Sequence, residues 1–123
     1  MRLWTLLGAL NALFSVAAGA FGAHALKARL PEDLLAIFET GARYQMYHAL
    51  GLIAVGLVAQ TRPSSLLTGA GWAMLLGIVL FSGSLYTLAL TGVRGLGAIT
   101  PLGGLGFLAG WLLLAVAVWR AGP

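Results

Sequence analysis

His24 and His48, with Ser82 and Ser84, are the side chains whose types could support proton transfer or nucleophilic attack. A serine activated by histidine needs a carboxylate to orient the imidazole, and the chain has three acids, Glu32, Asp33 and Glu39. All three lie in one polar stretch, Ala23 to Leu50. In helical register Glu39 shares a face with Glu32, Ala36 and Arg43, while Leu34, Leu35, Ile37 and Phe38 occupy the opposite face. The one acid near the histidines in sequence therefore points to water, and no catalytic residue is assigned. Two histidines and no cysteine fall short of the three or four protein ligands of a zinc site, so no metal is expected. Nor is a cofactor expected; a bis-histidine haem is the one group these residues could ligate, and only if His24 faced His48.

Hydrogen bonding is the chemistry that remains. If the helix of the polar stretch continues through Gly41, then Gly41, Tyr44, Gln45 and His48 fall on its inward face. A kink at Gly41 would break that phase. The expectation is a polar cluster of His24, Tyr44, Gln45, His48, Ser82, Ser84 and Tyr86, able to receive a ligand at one membrane face.

Hydropathy identifies the scaffold that would hold such a cluster. The 123 residues are 60% hydrophobic and 8% charged, with a mean hydropathy of +0.97. Soluble domains carry about 25% charged residues. Charged residues are absent from 3–26, 44–61, 63–93 and 95–119. A helix of roughly 20 apolar residues crosses a bilayer core about 30 Å thick. The prediction is one all-α domain over 1–123, a polytopic membrane protein with four transmembrane helices at about 3–23, 44–60, 65–90 and 101–119. A short amphipathic helix at about 31–42 is expected to lie on the membrane surface, opening at Pro31 with Glu32 and Asp33 in its first turn. The first apolar run imitates a secretory signal, but it exceeds the usual core of about 7–15 residues and is read as the first span.

Small and polar residues recur at steps of three and four along the spans. Gly8, Asn11, Ser15, Gly19 and Gly22 form such a row on the first, Gly69, Ala73 and Gly77 on the third, and Gly103, Gly106 and Gly110 on the fourth. Rows of this kind let helix backbones approach closely, so these are predicted packing residues. The net charge of +4 is scattered singly at helix ends, which argues against nucleic acid. Lys27, Arg29, Arg43 and Arg94 are expected to contact lipid headgroups at the polar face. Arg2, Arg62 and Arg120 lie at the opposite face, and the positive-inside count does not choose an orientation.

Four motifs carry a resemblance. They are Gly19-Ala20-Phe21-Gly22-Ala23-His24; Thr40-Gly41 with Tyr44-Gln45 and His48; Phe81-Ser82-Gly83-Ser84-Leu85-Tyr86; and Thr100-Pro101, Gly103-Gly104 and Phe107-Leu108-Ala109-Gly110-Trp111. In this order, over nearly the whole chain, they resemble the family of small four-span membrane proteins of unknown function that includes bacterial YgdD and YwdK and eukaryotic transmembrane protein 256. The resemblance implies a multi-pass protein of the cell membrane, the inner membrane in bacteria, with termini that tend to be cytoplasmic. It brings no activity or ligand. The basic C-terminal tail of some relatives is missing here.

The expected function is that of a non-enzymatic protein that contacts lipids or a protein partner through its polar face, with a homo-oligomer as an option. The alternative is a small transporter or channel whose pathway runs from the polar cluster to Asn11, formed within an oligomer.

Overall fold

Four helices account for nearly all of residues 2–123, which the computed structural model describes. Helix α1 spans Arg2–Leu26, α2 Glu32–Thr61 and α3 Ser65–Thr91. Helix α4 spans Thr100–Ala121 and is preceded by a 3-10 turn at Arg94–Ala98. There is no strand among the described residues. Three segments, Arg2–Leu26, Ser65–Thr91 and Arg94–Ala121, are long and apolar enough to cross a membrane.

The amphipathic segment at 31–42 is not a separate helix on the surface. It forms the first turns of α2, whose 30 residues run without a break through Gly41. At 1.5 Å per residue α2 is about 45 Å long, beyond a hydrocarbon core of about 30 Å. Glycine in a helix interior costs roughly 0.5–1 kcal/mol relative to alanine. Neighbours offset that cost here. The Tyr86 ring lies where a Cβ on Gly41 would come within 3.2 Å of it, and Ser82 hydrogen-bonds the Gly41 carbonyl. Amphipathic periodicity identifies the polar face of a helix but not whether its axis continues, and tertiary contacts settled that for α2.

Helix α2 is the central element. It packs along α1 on one side and α3 on the other, while α4 packs mainly on α3. Helices α1 and α4 share no extended contact, so the arrangement is open rather than a closed bundle. Enclosure by neighbours explains how α2 can be the least apolar helix, with Gln45 and His48 both buried.

The main core lies at the end away from the polar stretch, where Trp4, Leu52, Val55, Leu67, Ala70 and Met74 are fully buried. Close backbone approach makes it dense. The Trp4 ring sits against Gly71, where a Cβ would come within 2.5 Å of it, and Gly8 abuts the Ala49 carbonyl. Gly77, Gly103, Gly106 and Gly110 similarly meet the facing helix, whereas Gly19, Gly22 and Gly69 have room for an ordinary van der Waals neighbour. Periodicity did not single out Gly51, Gly56 or Gly71, which are among the tightest positions.

Both helices flanking α2 contain a widened π-turn, at Ala17–Gly22 in α1 and Ile78–Ser82 in α3. Such a turn inserts one residue and rotates the helix beyond it, and π-turns often occur at functional sites.

Candidate functional site

Leu-Phe-Ser occurs twice in the chain, at residues 13–15 and 80–82, each beside or inside one of the π-turns. Its two serines grip the same place on α2. Ser15 Oγ donates to the Ala42 carbonyl at 2.6 Å, and Ser82 Oγ donates to the Gly41 carbonyl at 2.7 Å. Both serines are buried. Each helical carbonyl has a second lone pair beyond its intrahelical bond, so the hydroxyls add contacts without removing any. Consecutive carbonyls of α2 are thereby fixed to the helices on either side.

One turn deeper, a side-chain chain crosses the same three helices. Tyr86 Oη donates to Gln45 Oε1 at 2.7 Å, and Gln45 Nε2 donates to Asn11 Oδ1 at 2.9 Å. Asn11 Nδ2 in turn donates to the Leu7 carbonyl at 2.9 Å. Burial explains why the chain is this complete, because an unpaired amide in an apolar interior costs about 1–3 kcal/mol. Sequence reasoning placed Asn11 in a packing row; the structure joins it to Gln45.

His48 faces another way. It is 4% exposed and lies on the side of α2 turned toward α4. Its ring stacks on Phe107, with centroids 3.4 Å apart and planes 6° from parallel. Nδ1 contacts the Tyr44 carbonyl at 2.7 Å. A carbonyl can only accept, so Nδ1 carries the proton in the neutral ring and Nε2 is left as an acceptor. Among the described residues Nε2 has no hydrogen-bond partner, and it is not sealed from its surroundings. The ring forms part of a groove of about 650 Å³ between α2 and α4, lined otherwise by Tyr44, Tyr47, Phe81, Pro101, Gly104, Leu105, Phe107, Leu108 and Trp111.

The predicted cluster is therefore divided. Gln45, Tyr86 and Ser82 meet where α2 is joined to α1 and α3, with Asn11 and Ser15 added. His48 and Tyr44 face the aromatic groove. Ser84 is a separate joint, bonded to the Phe81 carbonyl at 2.9 Å and to Thr100 Oγ1 at 2.6 Å, and it ties α3 to the start of α4. His24 joins none of these groups: it is exposed near the end of α1, beyond the π-turn. No three His, Asp or Glu side chains converge among the described residues. Thr5 Oγ1 is buried without a partner near Gly56 and does not line the groove.

At the polar face, Lys27, Arg29 and Arg43 are exposed, and Arg94 pairs with Asp33. That pair links the start of α2 to the turn before α4. The guanidinium of Arg94 holds the Asp33 carboxyl below its ordinary value through its hydrogen bond. At the opposite face Arg62 donates to the carbonyls of Ala121 and Gly122, tying the α2–α3 turn to the end of α4.

The chain is similar to known proteins along its length. Residues 18–104 match the family described as "Protein of unknown function (DUF423)". A UPF0382 membrane protein of Staphylococcus haemolyticus is 51% identical over 120 residues, covering 98% of each chain. One from Staphylococcus epidermidis is 53% identical over 120 residues with the same coverage. The UPF0382 membrane protein YwdK of Bacillus subtilis is 50% identical over 118 residues, covering 95% of this chain and 96% of YwdK. No solved structure matches the chain.

Proposed function

The chain belongs to the DUF423 family and is an integral membrane protein, and from that premise we propose that it binds a membrane-dissolved ligand in the groove between α2 and α4. In this reading it is not an enzyme. All four helices cross the cell membrane, with α2 as the span shielded by its neighbours, and the protein is multi-pass. In a bacterium that membrane is the inner one. Lys27, Arg29, Arg43 and Arg94 hold the polar face at headgroup level, where basic side chains gain from anionic lipid. The apolar outer faces of α1 and α4 meet lipid or a second copy of the chain. Nucleic acid has no role.

The observation that carries the proposal is the contrast between the two polar sets on α2. Gln45, Tyr86, Ser15 and Ser82 are satisfied within the fold. His48 leaves Nε2 unpartnered beside a groove whose size suits a small ligand, since such sites are typically about 300–1,000 Å³. The transporter alternative has less support. Asn11 is engaged by Gln45 and Leu7, and the cavity of about 250 Å³ beside Ser15 is lined by Glu39, Arg43, Met46, Ala42 and Gly19, not by Asn11.

Native mass spectrometry of protein released in mild detergent tests the proposal. A retained small molecule or lipid is expected, and a Gly104→Leu variant should retain less of it. Bare protein, or an adduct indifferent to Gly104→Leu, would count against a groove ligand. The same spectrum reads the oligomeric state.

A further inference from the structure

We infer that the ligand of this groove is a hydroquinone or similar phenol carrying an apolar chain, held by a hydrogen bond from its hydroxyl to His48 Nε2. The inference rests on the proposed groove-binding function and names its chemistry. Three properties of the groove point to this class.

The first is the sense of the free hydrogen bond. With Nδ1 committed to the Tyr44 carbonyl, Nε2 of the neutral ring can accept but not donate. A ligand must bring an O–H or N–H to it. The tyrosine hydroxyls of Tyr44 and Tyr47 both donate and accept, so they do not discriminate; His48 does. A hydroquinone offers the required donor, while the corresponding quinone offers only carbonyl acceptors.

The second property is the wall. Phe107 lies parallel to the His48 ring, and Tyr44 is 14° from the plane of His48 with centroids 6.3 Å apart. Aromatic rings gain from offset stacking and edge contacts beyond their buried area. A flat ring entering here meets other rings on its faces and edges.

The third is the axis. Pro101 opens α4 beside Tyr44 near the polar face, and Trp111 lies about three turns further along α4. Leu105 and Leu108 flank the path between them and are largely exposed. A ligand with its polar ring at His48 and its chain along these leucines has both ends matched. A phospholipid lacks the aromatic donor, and a nucleotide would bury its charge against apolar walls.

The test uses full-length protein in nanodiscs, with imidazoles labelled by ¹⁵N. Decylhydroquinone, its dimethyl ether and decylquinone are titrated under a redox buffer that keeps each species intact. The chain has two histidines, so exposed His24 is an internal control. The hydroquinone is expected to bind about three- to tenfold more tightly than the ether or the quinone, the worth of one net hydrogen bond. It should shift the Nε2 resonance of His48 and leave His24 unmoved. His48→Phe should abolish the preference for the hydroquinone while keeping the stack. Gly104→Leu should weaken all three compounds, because a Cβ at Gly104 meets no atom within 4 Å and the side chain would extend into the groove.

Equal binding of hydroquinone and ether, absence of binding by all three, or binding without a His48 shift would overturn the inference. The wild-type comparison decides the matter alone should His48→Phe fail to fold. If native mass spectrometry finds a groove-dependent lipid while the hydroquinone shows no advantage, the binding function stands and this ligand class fails. An absence of both groove adduct and binding removes the two together.

Discussion

Tyr86 Oη reaches Gln45 Oε1 at 2.7 Å, so the helix beyond the second π-turn is hydrogen-bonded to the most enclosed amide of α2. Gln45 passes the interaction on to Asn11, so the chain couples three helices through one residue. Tyr86→Phe keeps the ring and its packing on Phe38, at 5.0 Å, but leaves Gln45 Oε1 without its donor. Hydrogen bonds between membrane helices average about 0.6 kcal/mol and reach about 1.7. A loss of that size is expected for Tyr86→Phe. Asn11→Ala should cost a similar amount, and the double variant should fall short of the sum because both singles unbalance Gln45. Unfolding in detergent, analysed as a double-mutant cycle, measures this; strict additivity would show that the chain is not one unit.

The two Leu-Phe-Ser serines offer a contrasting case. Ser15 and Ser82 bond adjacent but separate carbonyls, and no side chain is shared between them. Replacement by alanine removes a small polar atom from a buried site and leaves the helical carbonyl with its own ladder bond. Each of Ser15→Ala and Ser82→Ala is expected to cost about 0.5–1.5 kcal/mol, with the double variant close to the sum. Cooperative loss well beyond the sum would mean that the π-turns themselves collapse when a serine is removed.

Much of this was legible in the sequence, and the exceptions have physical causes. The helical phase placed Gly41, Gln45 and His48 inward and Glu39 and Arg43 outward, and the fold has them so because α2 is unbroken at Gly41. Phase gives a side of one helix, however, not the neighbour found there. Gln45 and His48 lie about 60° apart on α2, and that angle sends one toward α1 and α3 and the other toward α4. His24 shares the membrane face of the other cluster residues, but a shared face does not fix which way a side chain points. The π-turn at Ala17–Gly22 adds a residue to the turn and redirects the rest of α1. Nothing local in the sequence marks it apart from its glycines. Likewise Phe107 and Trp111 were visible as a motif, but their meeting with His48 depends on the crossing of α2 and α4.

Glycine substitutions separate the positions where helices touch from those that merely recur at the right spacing. A methyl at Gly71 would come within 2.5 Å of the indole of Trp4, which is 1% exposed and edge-on to Trp72 at 5.3 Å. The Trp4 ring is enclosed and has no room to retreat. Gly71→Ala is expected to destabilise the protein by about 1–3 kcal/mol through overpacking. Two residues away, a methyl at Gly69 meets only the end of Leu113 at 3.4 Å, so Gly69→Ala should be neutral or slightly stabilising. Melting temperatures of the two variants in the same detergent decide the point, and equal shifts would contradict the close approach of Trp4 to Gly71.

The Asp33–Arg94 pair makes a prediction about acid. Arg94 lowers the Asp33 carboxyl from its reference value of 3.8, first through the hydrogen bond and then through its charge. A carboxyl lowered in the folded state contributes stability that is fully present above the unfolded value, and that contribution is lost as pH falls through the folded one. The window therefore lies below about pH 3.8, and neutral conditions retain the pair. Both side chains are exposed, so water and salt weaken the interaction. Asp33→Asn should melt slightly lower than the parent at pH 7 in low salt. That gap should close in high salt, and close again at pH values under the folded value for Asp33. Arg94→Gln should reproduce the neutral-pH effect, because the pair joins the first turn of α2 to the turn before α4 and either partner alone leaves that junction unbridged. A gap that persisted in high salt, or widened on acidification, would mean that the charge of Asp33 is not what stabilises this junction. An Arg94→Gln variant melting like the parent would mean that Asp33 acts through the α2 N-terminus and not through Arg94.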